Sequence, residues 1–380
     1  MDTQIVREIS EHIESIPSLP TAAMRLIELT DDPGAELSEV SRIISADQGL
    51  AVRVLQVANS AFYGAQRKIG SINQAVVTIG FQAVKNITLS LSVMTNSRMQ
   101  AKLSAGNLEF FWRQSLATAI VARRLAVSLG IKNPDEAFTA GLIHDIGVVI
   151  LMNRYEELYA RTVENARKRN APLLQMEQEV FEMNHAELGA ELCRHWRLPQ
   201  TIISAVATHH DFNSENTDAK SLYSLAGVIS VADEVTKIAL SDGSPKGGAN
   251  ASIDPICVDL ITKAQYPTRK LHPILMELTR ELKQIERFFG LPASPEVETT
   301  RFEHQRIGLL ITGKREKEIV VLILLSLNLK YMDIGFAGEV DPRFVTVIDD
   351  AALRKIGCTN DVFAVGAFKG WIHDELFKAK

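Results

Sequence analysis

Through roughly the first 290 residues, apolar side chains recur at intervals of three and four, and strict alternation is rare. That rhythm restricts this part of the chain to packed amphipathic helices. Leu37, Val40, Ile43 and Ile44 form one stripe, and Leu50, Ala51, Val54, Leu55 and Ala58 the next. Ser71 is placed to cap a helix carrying Ile72, Ala75, Val76 and Ile79, with Gly80 to end it. A helix over 111–129 closes at Gly130. Asn133-Pro134-Asp135-Glu136 reads as a helix start, with Asn as cap, Pro in the first turn and two carboxylates at the positive end of the dipole. The helix that follows carries Gly141-Leu142-Ile143-His144-Asp145-Ile146-Gly147. Further helices run through His185 toward Pro199, from Pro199 to His209-His210, over 222–240 and over 270–289.

The pattern breaks twice. Residues 241–252 (SDGSPKGGANAS) form a flexible excursion, and 290–295 (GLPASP) mark a domain boundary. Beyond the boundary, 306–312, 331–337, 343–348 and 362–368 read as short strands, with helices over 319–329 and 351–356 between them. The expected fold is therefore mainly α: a multi-helical domain over 1–290, divided near residue 105, followed by a small α/β domain over 296–380. A chain of 380 residues has room for two or three domains.

Composition narrows the function. The formal charge of −5, and the absence of clustered Arg or Lys on the second helix of the 37–59 pair, weigh against nucleic acid as a partner. The three cysteines, Cys193, Cys257 and Cys358, are far apart and form no CxxC pair, so neither a disulfide framework nor a thiolate zinc site is expected. The N-terminus is polar, and the longest apolar run, 319–329, is shorter than the roughly 20 residues a bilayer requires. These features predict a cytoplasmic protein with no membrane partner.

Six side chains stand out because they are polar and lie on or beside apolar stripes: His144, Asp145, His185, His209, His210 and Asp233. A carboxylate at a core-facing position requires a partner, since burying a bare charge is costly. Imidazoles and carboxylates converging from several helices suit Mn, Fe or Zn, and one or two such divalent ions are the expected cofactors. Within one continuous helix His144 and Asp145 would point about 100° apart, so both reach one ion only where neighbouring helices close around it.

The ordered motifs resemble a known family. His144-Asp145-Ile146-Gly147 is similar to the signature of the HD-domain metal-dependent phosphohydrolases. Ile16-Pro17-Ser18-Leu19-Pro20, then Asp47 with Leu50 and Leu55, Ala58-Asn59-Ser60-Ala61-Phe62-Tyr63-Gly64 and Ile69-Gly70-Ser71-Ile72 resemble the HDOD (HD-related output domain) family. Phe111-Trp112, His185-Ala186-Glu187-Leu188-Gly189-Ala190, Trp196-Arg197-Leu198-Pro199 and His209-His210 continue the likeness in order, over about residues 10 to 240. The resemblance implies an all-helical fold, with an HD-like part over about 106–290, and a place in bacterial signal transduction. It further implies that His144, Asp145, His185, His209, His210 and Asp233 occupy the metal-ligand positions of the wider superfamily, whose HD-GYP branch hydrolyses cyclic di-GMP.

Three departures accompany that likeness. Gln114 stands near where the superfamily has its first histidine, Val148 stands where a lysine often follows the HDIG signature, and no GYP motif follows His210. They favour an output or scaffold module that binds a signalling protein partner or a nucleotide-type ligand through a degenerate HD-type site. The alternative is a metal-dependent phosphohydrolase acting on a nucleotide or cyclic dinucleotide.

Overall fold

Ser71 caps its helix as the local sequence requires, its hydroxyl accepting from the Gln74 amide at 3.2 Å, and Gly80 closes it at φ 91°, a left-handed value that favours glycine. The computed structural model describes residues 3–29, 37–60, 62–64, 67–95, 105–169, 171–212, 217–239, 260–261, 263–267, 270–289 and 291, together with four strands between 307 and 364. The helices are α1 (Thr3–Ser15), α2 (Thr21–Glu28), α3 (Leu37–Ser45), α4 (Gln48–Ala58), α5 (Ile72–Ile79), α6 (Phe81–Met94), α7 (Ala105–Leu129), α8 (Pro134–Ile143), α9 (Ile146–Arg169), α10 (Leu173–Phe181), α11 (His185–His195), α12 (Gln200–Thr208), α13 (Leu225–Ala239) and α14 (Leu271–Phe289).

The chain divides into two units. The first takes Met1–Phe212, Leu222–Asp233 and Leu278–Ser294; the second takes Asn213–Ser221, Glu234–Glu277 and Pro295–Lys380. In the second, β1 (Ile307–Leu310), β2 (Tyr331–Asp333), β3 (Val345–Ile348) and β4 (Val362–Ala364) pair in parallel in the order β2-β1-β3-β4. Each lies inside a segment expected to be a strand. The expected helices over 319–329 and 351–356, and the 241–252 excursion, lie outside the described residues.

In the first unit, α7 and α8 pack at backbone distance. A Cβ on Gly141 would lie 3.0 Å from Ala119 Cα, so the glycine and the run of buried alanines on α7 are matched. Trp112 of α7, Phe138 of α8, Phe181 of α10 and Trp196 after α11 are all fully buried. The motifs that the sequence spreads apart meet here. Asn59 clasps the loop before α5, its amide donating to Ile69 O at 2.8 Å and its oxygen accepting from Ile69 N at 2.7 Å. The Arg123 guanidinium lies 4.7 Å from both the Phe62 and Tyr63 ring centres and bonds Asp135 at 2.8 Å. The proline-rich Ile16–Pro20 segment is held by α11, with His195 Nε2 donating to Ile16 O at 2.9 Å and Trp196 Nε1 to Pro17 O at 3.1 Å.

Asn133 departs from expectation. Its side chain makes no capping bond to the backbone; its amide donates to Glu136 Oε2 instead, at 3.4 Å. Asp135 is turned toward Arg123, 2.8 Å away. Among the described residues no single helix is long and apolar enough to cross a membrane.

Candidate metal centre

The HD pair does not lie within one helix. α8 ends at Ile143 and α9 begins at Ile146, leaving His144 and Asp145 as the joint between them. Just past the break α9 runs at backbone distance from α11: a Cβ on Gly147 would overlap the His185 carbonyl oxygen and lie 2.8 Å from Gly189 N. The joint lets both side chains face one point, which the 100° separation of a continuous helix would not.

The other histidines also stand at helix ends. His185 is the first residue of α11, after an Asn184–Glu187 capping box. His209 and His210 follow the last turn of α12. Asp233 is different: it lies inside α13, on its buried face.

All six converge. His144 Nε2 is 3.3 Å from Asp145 Oδ2 and 3.2 Å from Asp233 Oδ1. Asp145 Oδ1 is 3.3 Å from His185 Nε2 and 3.4 Å from His209 Nε2, and His185 Nε2 is 3.1 Å from His210 Nε2. Two overlapping donor sets result, Asp145–His185–His209–His210 and His144–Asp145–Asp233, in each of which the donor atoms lie within 4.8 Å of one another. Asp145 belongs to both. His144, His209 and Asp233 are buried, and the Asp145 side chain retains 20% exposure, giving the cluster an opening to solvent.

Three of the four remaining ring nitrogens are committed elsewhere. Nδ1 of His144 donates to Gly141 O at 2.8 Å, and Nδ1 of His209 to Val206 O at 2.8 Å. A carbonyl oxygen only accepts, so both Nδ1 atoms carry protons and both Nε2 atoms offer lone pairs when the ring is neutral. His185 Nδ1 donates to Glu177 Oε2 at 2.7 Å. Buried Nε2 of His144 and of His209, and Oδ1 of Asp145, make no aligned hydrogen bond despite their proximity. Buried polar atoms left in this state point to an ion between them, and the nitrogen and oxygen donors fit a divalent transition metal.

The cluster's charges are strongly coupled. Burial lowers the His144 pKa, but Asp145 and Asp233 outweigh it and raise it to about 10. His185 is likewise lowered by burial and raised by Glu177 and Asp145, to about 10. Burial raises Asp145, and His144 and His185 together hold it well below the usual carboxylate range. His209 is pushed down by burial, with the charges of His144 and His185 adding to the effect.

Gln114 lies half-buried on α7, and Val148 half-buried in the first turn of α9. Sequence reasoning missed Glu177 and Tyr159. Glu177 is fully buried on α10, and it accepts from Tyr159 OH at 3.0 Å and from the His185 amide at 2.9 Å as well as from the ring. Its sequence signal is weak, because Glu177 stands beside Gln178 and Glu179 and only its place next to Met176 on an amphipathic helix sets it apart.

Residues 16–212 match the HDOD domain family. A Treponema pallidum (strain Nichols) protein, itself uncharacterized, is 27% identical over 230 residues, which are 58% of this chain and 43% of that protein, so this chain spans under half of that relative's length. Among solved structures, an HDOD domain protein of unknown function from Geobacter sulfurreducens aligns with TM-score 0.58 at 22% identity, over 75% of this chain and 97% of that one. A candidate phosphohydrolase from Shewanella amazonensis SB2B aligns with TM-score 0.56 at 23% identity, over 74% and 97% of the two chains. A candidate signal transduction protein from Marinobacter aquaeolei VT8 gives TM-score 0.54 at 19% identity, over 76% and 65%. These structural likenesses show the fold.

Proposed function

This chain belongs to the HDOD family, and from that premise we propose that it is a bacterial cytoplasmic signal-transduction module. Its helical domain over 1–290 holds one or two divalent ions, of Mn, Fe or Zn, and presents the loaded site to a signalling protein or a nucleotide-type ligand. The small α/β domain over 296–380 is a second docking or sensing unit. One observation carries the metal reading: the Nε2 atoms of His144, His185, His209 and His210 converge on Asp145 and Asp233, and three of the four Nδ1 atoms are already committed to fixed acceptors. Rings oriented in this way lose little further freedom when they ligate.

The residues divide the work. His185, His209 and His210 would hold one ion and His144 and Asp233 a second, with Asp145 facing both. When bound, such ions polarise phosphate oxygens and acidify water. Asp145 and His210, the two partly exposed members, are where an incoming ligand meets the site.

A second reading, a phosphohydrolase acting on a nucleotide or cyclic dinucleotide, is favoured by the shared position of Asp145 between two donor sets. Val148 weakens it, because an uncharged side chain stands where a phosphate-directed cation is expected.

The test is elemental analysis of purified full-length protein, followed by titration of metal-stripped protein with Mn²⁺ and Zn²⁺. Stoichiometric metal that Asp145→Ala removes is the expected result. Protein that stays metal-free through the titration, or an Asp145→Ala variant that binds like the parent, overturns the metal reading.

A further inference from the structure

We infer that Glu177, held by Tyr159, is a positioning residue that sets the orientation of His185 and keeps its Nε2 turned into the centre. The inference rests on the metal reading above and extends it to residues outside the ligand set.

The argument begins with what each atom of Glu177 does. Oε2 accepts from both the backbone amide of His185, at 2.9 Å, and its ring Nδ1, at 2.7 Å. One carboxylate oxygen thus grips the backbone and the ring of the same residue. This removes rotation about both side-chain torsions of His185. The amide it satisfies is one of the unpaired donors at the start of α11, so the grip also seats the helix end. Oε1 accepts from Tyr159 OH at 3.0 Å, which fixes the carboxylate in turn.

Glu177 and Tyr159 lie on different helices. Tyr159 belongs to α9, the helix that starts one residue after Asp145, and Glu177 to α10. The Tyr159–Glu177–His185 series therefore ties the helix that follows Asp145 to the one that opens with His185. Phe181 packs against Tyr159 with ring centres 6.3 Å apart and is fully buried. Glu177 itself has no exposure and cannot trade these bonds for solvent. A ring nitrogen bound to a carboxylate also makes the opposite nitrogen a better donor, and outer-shell groups of this kind typically change metal affinity about 10–100-fold.

The experiment uses the full chain as parent, Glu177→Leu, Glu177→Gln, His185→Ala and the Glu177→Gln/His185→Ala double variant. Two readouts are taken: Mn²⁺ and Zn²⁺ affinity by calorimetry, and the imidazole N–H signals by proton–nitrogen NMR. The parent is expected to show a slowly exchanging His185 Nδ1 proton. Glu177→Leu is expected to lose that signal and to bind metal about 10–100-fold more weakly. Glu177→Gln keeps an acceptor oxygen, so it is expected to retain the signal and to lose only severalfold. With His185 already removed, Glu177→Gln is expected to change affinity by less than about twofold, because its effect passes through that ring. Equal losses with and without His185, or parent affinity in both Glu177 variants, overturn the inference. If Glu177→Leu does not fold, the Glu177→Gln cycle decides. If the parent binds no metal, the metal reading falls alone. A protected Nδ1 proton that Glu177→Leu abolishes then still supports positioning, and its absence from the parent refutes it.

Discussion

Gly147 on α9 faces the carbonyl of His185 on α11 so closely that a side-chain carbon on the glycine would overlap it. The neighbours on that side are backbone, which cannot swing away. Gly147→Ala should therefore cost about 1–3 kcal/mol or more, the range for overpacking. Metal binding should fall with it, because the separation of α9 from α11 sets the distance between Asp145 and His185. Denaturant unfolding together with metal titration checks this; a variant that keeps both stability and affinity would show that the helices have room to part.

Asp233 and His144 form a buried pair, 3.2 Å apart and each about 1% exposed. Removing one member takes a charged partner from a buried group that keeps others, His144 retaining Asp145 at 3.3 Å, at a cost of about 1–3 kcal/mol. Asp233→Ala and His144→Ala should each destabilise the metal-free protein by roughly this amount. Urea titration measures it, and parental midpoints in both variants would mean that the cluster is solvated.

Proton release should accompany metal uptake. His144 and His185, both raised to about 10, carry protons in the metal-free protein at neutral pH. Ligation requires neutral imidazole, so about two protons should leave on binding, and affinity should rise from pH 6 to pH 9. For the metal-free fold the sign is opposite. A histidine raised from 6.5 to about 10 contributes stability that is complete below 6.5 and is lost as pH rises through 10. Calorimetry in buffers of different ionisation enthalpy counts the protons, and thermal melts from pH 7 to 10 follow the stability. Metal uptake without proton release would contradict both pKa assignments.

Cyclic di-GMP should not be turned over, even by metal-loaded protein. Charge grows on the phosphate oxygens during attack and needs fixed cations aimed at it. Val148 offers none, and Gln114 stands near where the resemblance to the wider superfamily leads one to expect a histidine. Defects of this kind combine non-additively, so either alone can remove most of the rate. Turnover that disappears in Asp145→Ala would promote the hydrolase reading.

Limited proteolysis should cut within 241–252 and within 290–295, both polar and rich in Gly, Ser or Pro. Mass spectrometry of the fragments locates the cuts, and a chain that resists at both places would count against separate domains over 1–290 and 296–380.

Local rules carried much of the fold. The Ser71 cap, the Gly80 and Gly130 terminators and the three-four periodicity depend on residues within a turn of one another, and the helices follow them closely. The four strands fall within the segments read from β-branched and aromatic runs. The identities of His144, Asp145, His185, His209, His210 and Asp233 were legible for the same reason, since a charged or imidazole side chain interrupts an apolar stripe visibly.

Tertiary packing decided the rest. The seating of α9 on α11 brings Gly147 against a carbonyl 38 positions later in the chain, which no local window contains. The place of His185, His209 and His210 at helix ends also depends on how α9, α11 and α12 stack. Glu177 looks in sequence like any acidic residue on an amphipathic helix. Only the burial of α10 against α9 and the start of α11 turns its carboxylate from solvent toward Tyr159 and His185. Residue type could thus be read from the chain itself. The direction in which each polar group points was set by contacts between helices, because a buried charge takes whatever partner the packing brings within bonding distance.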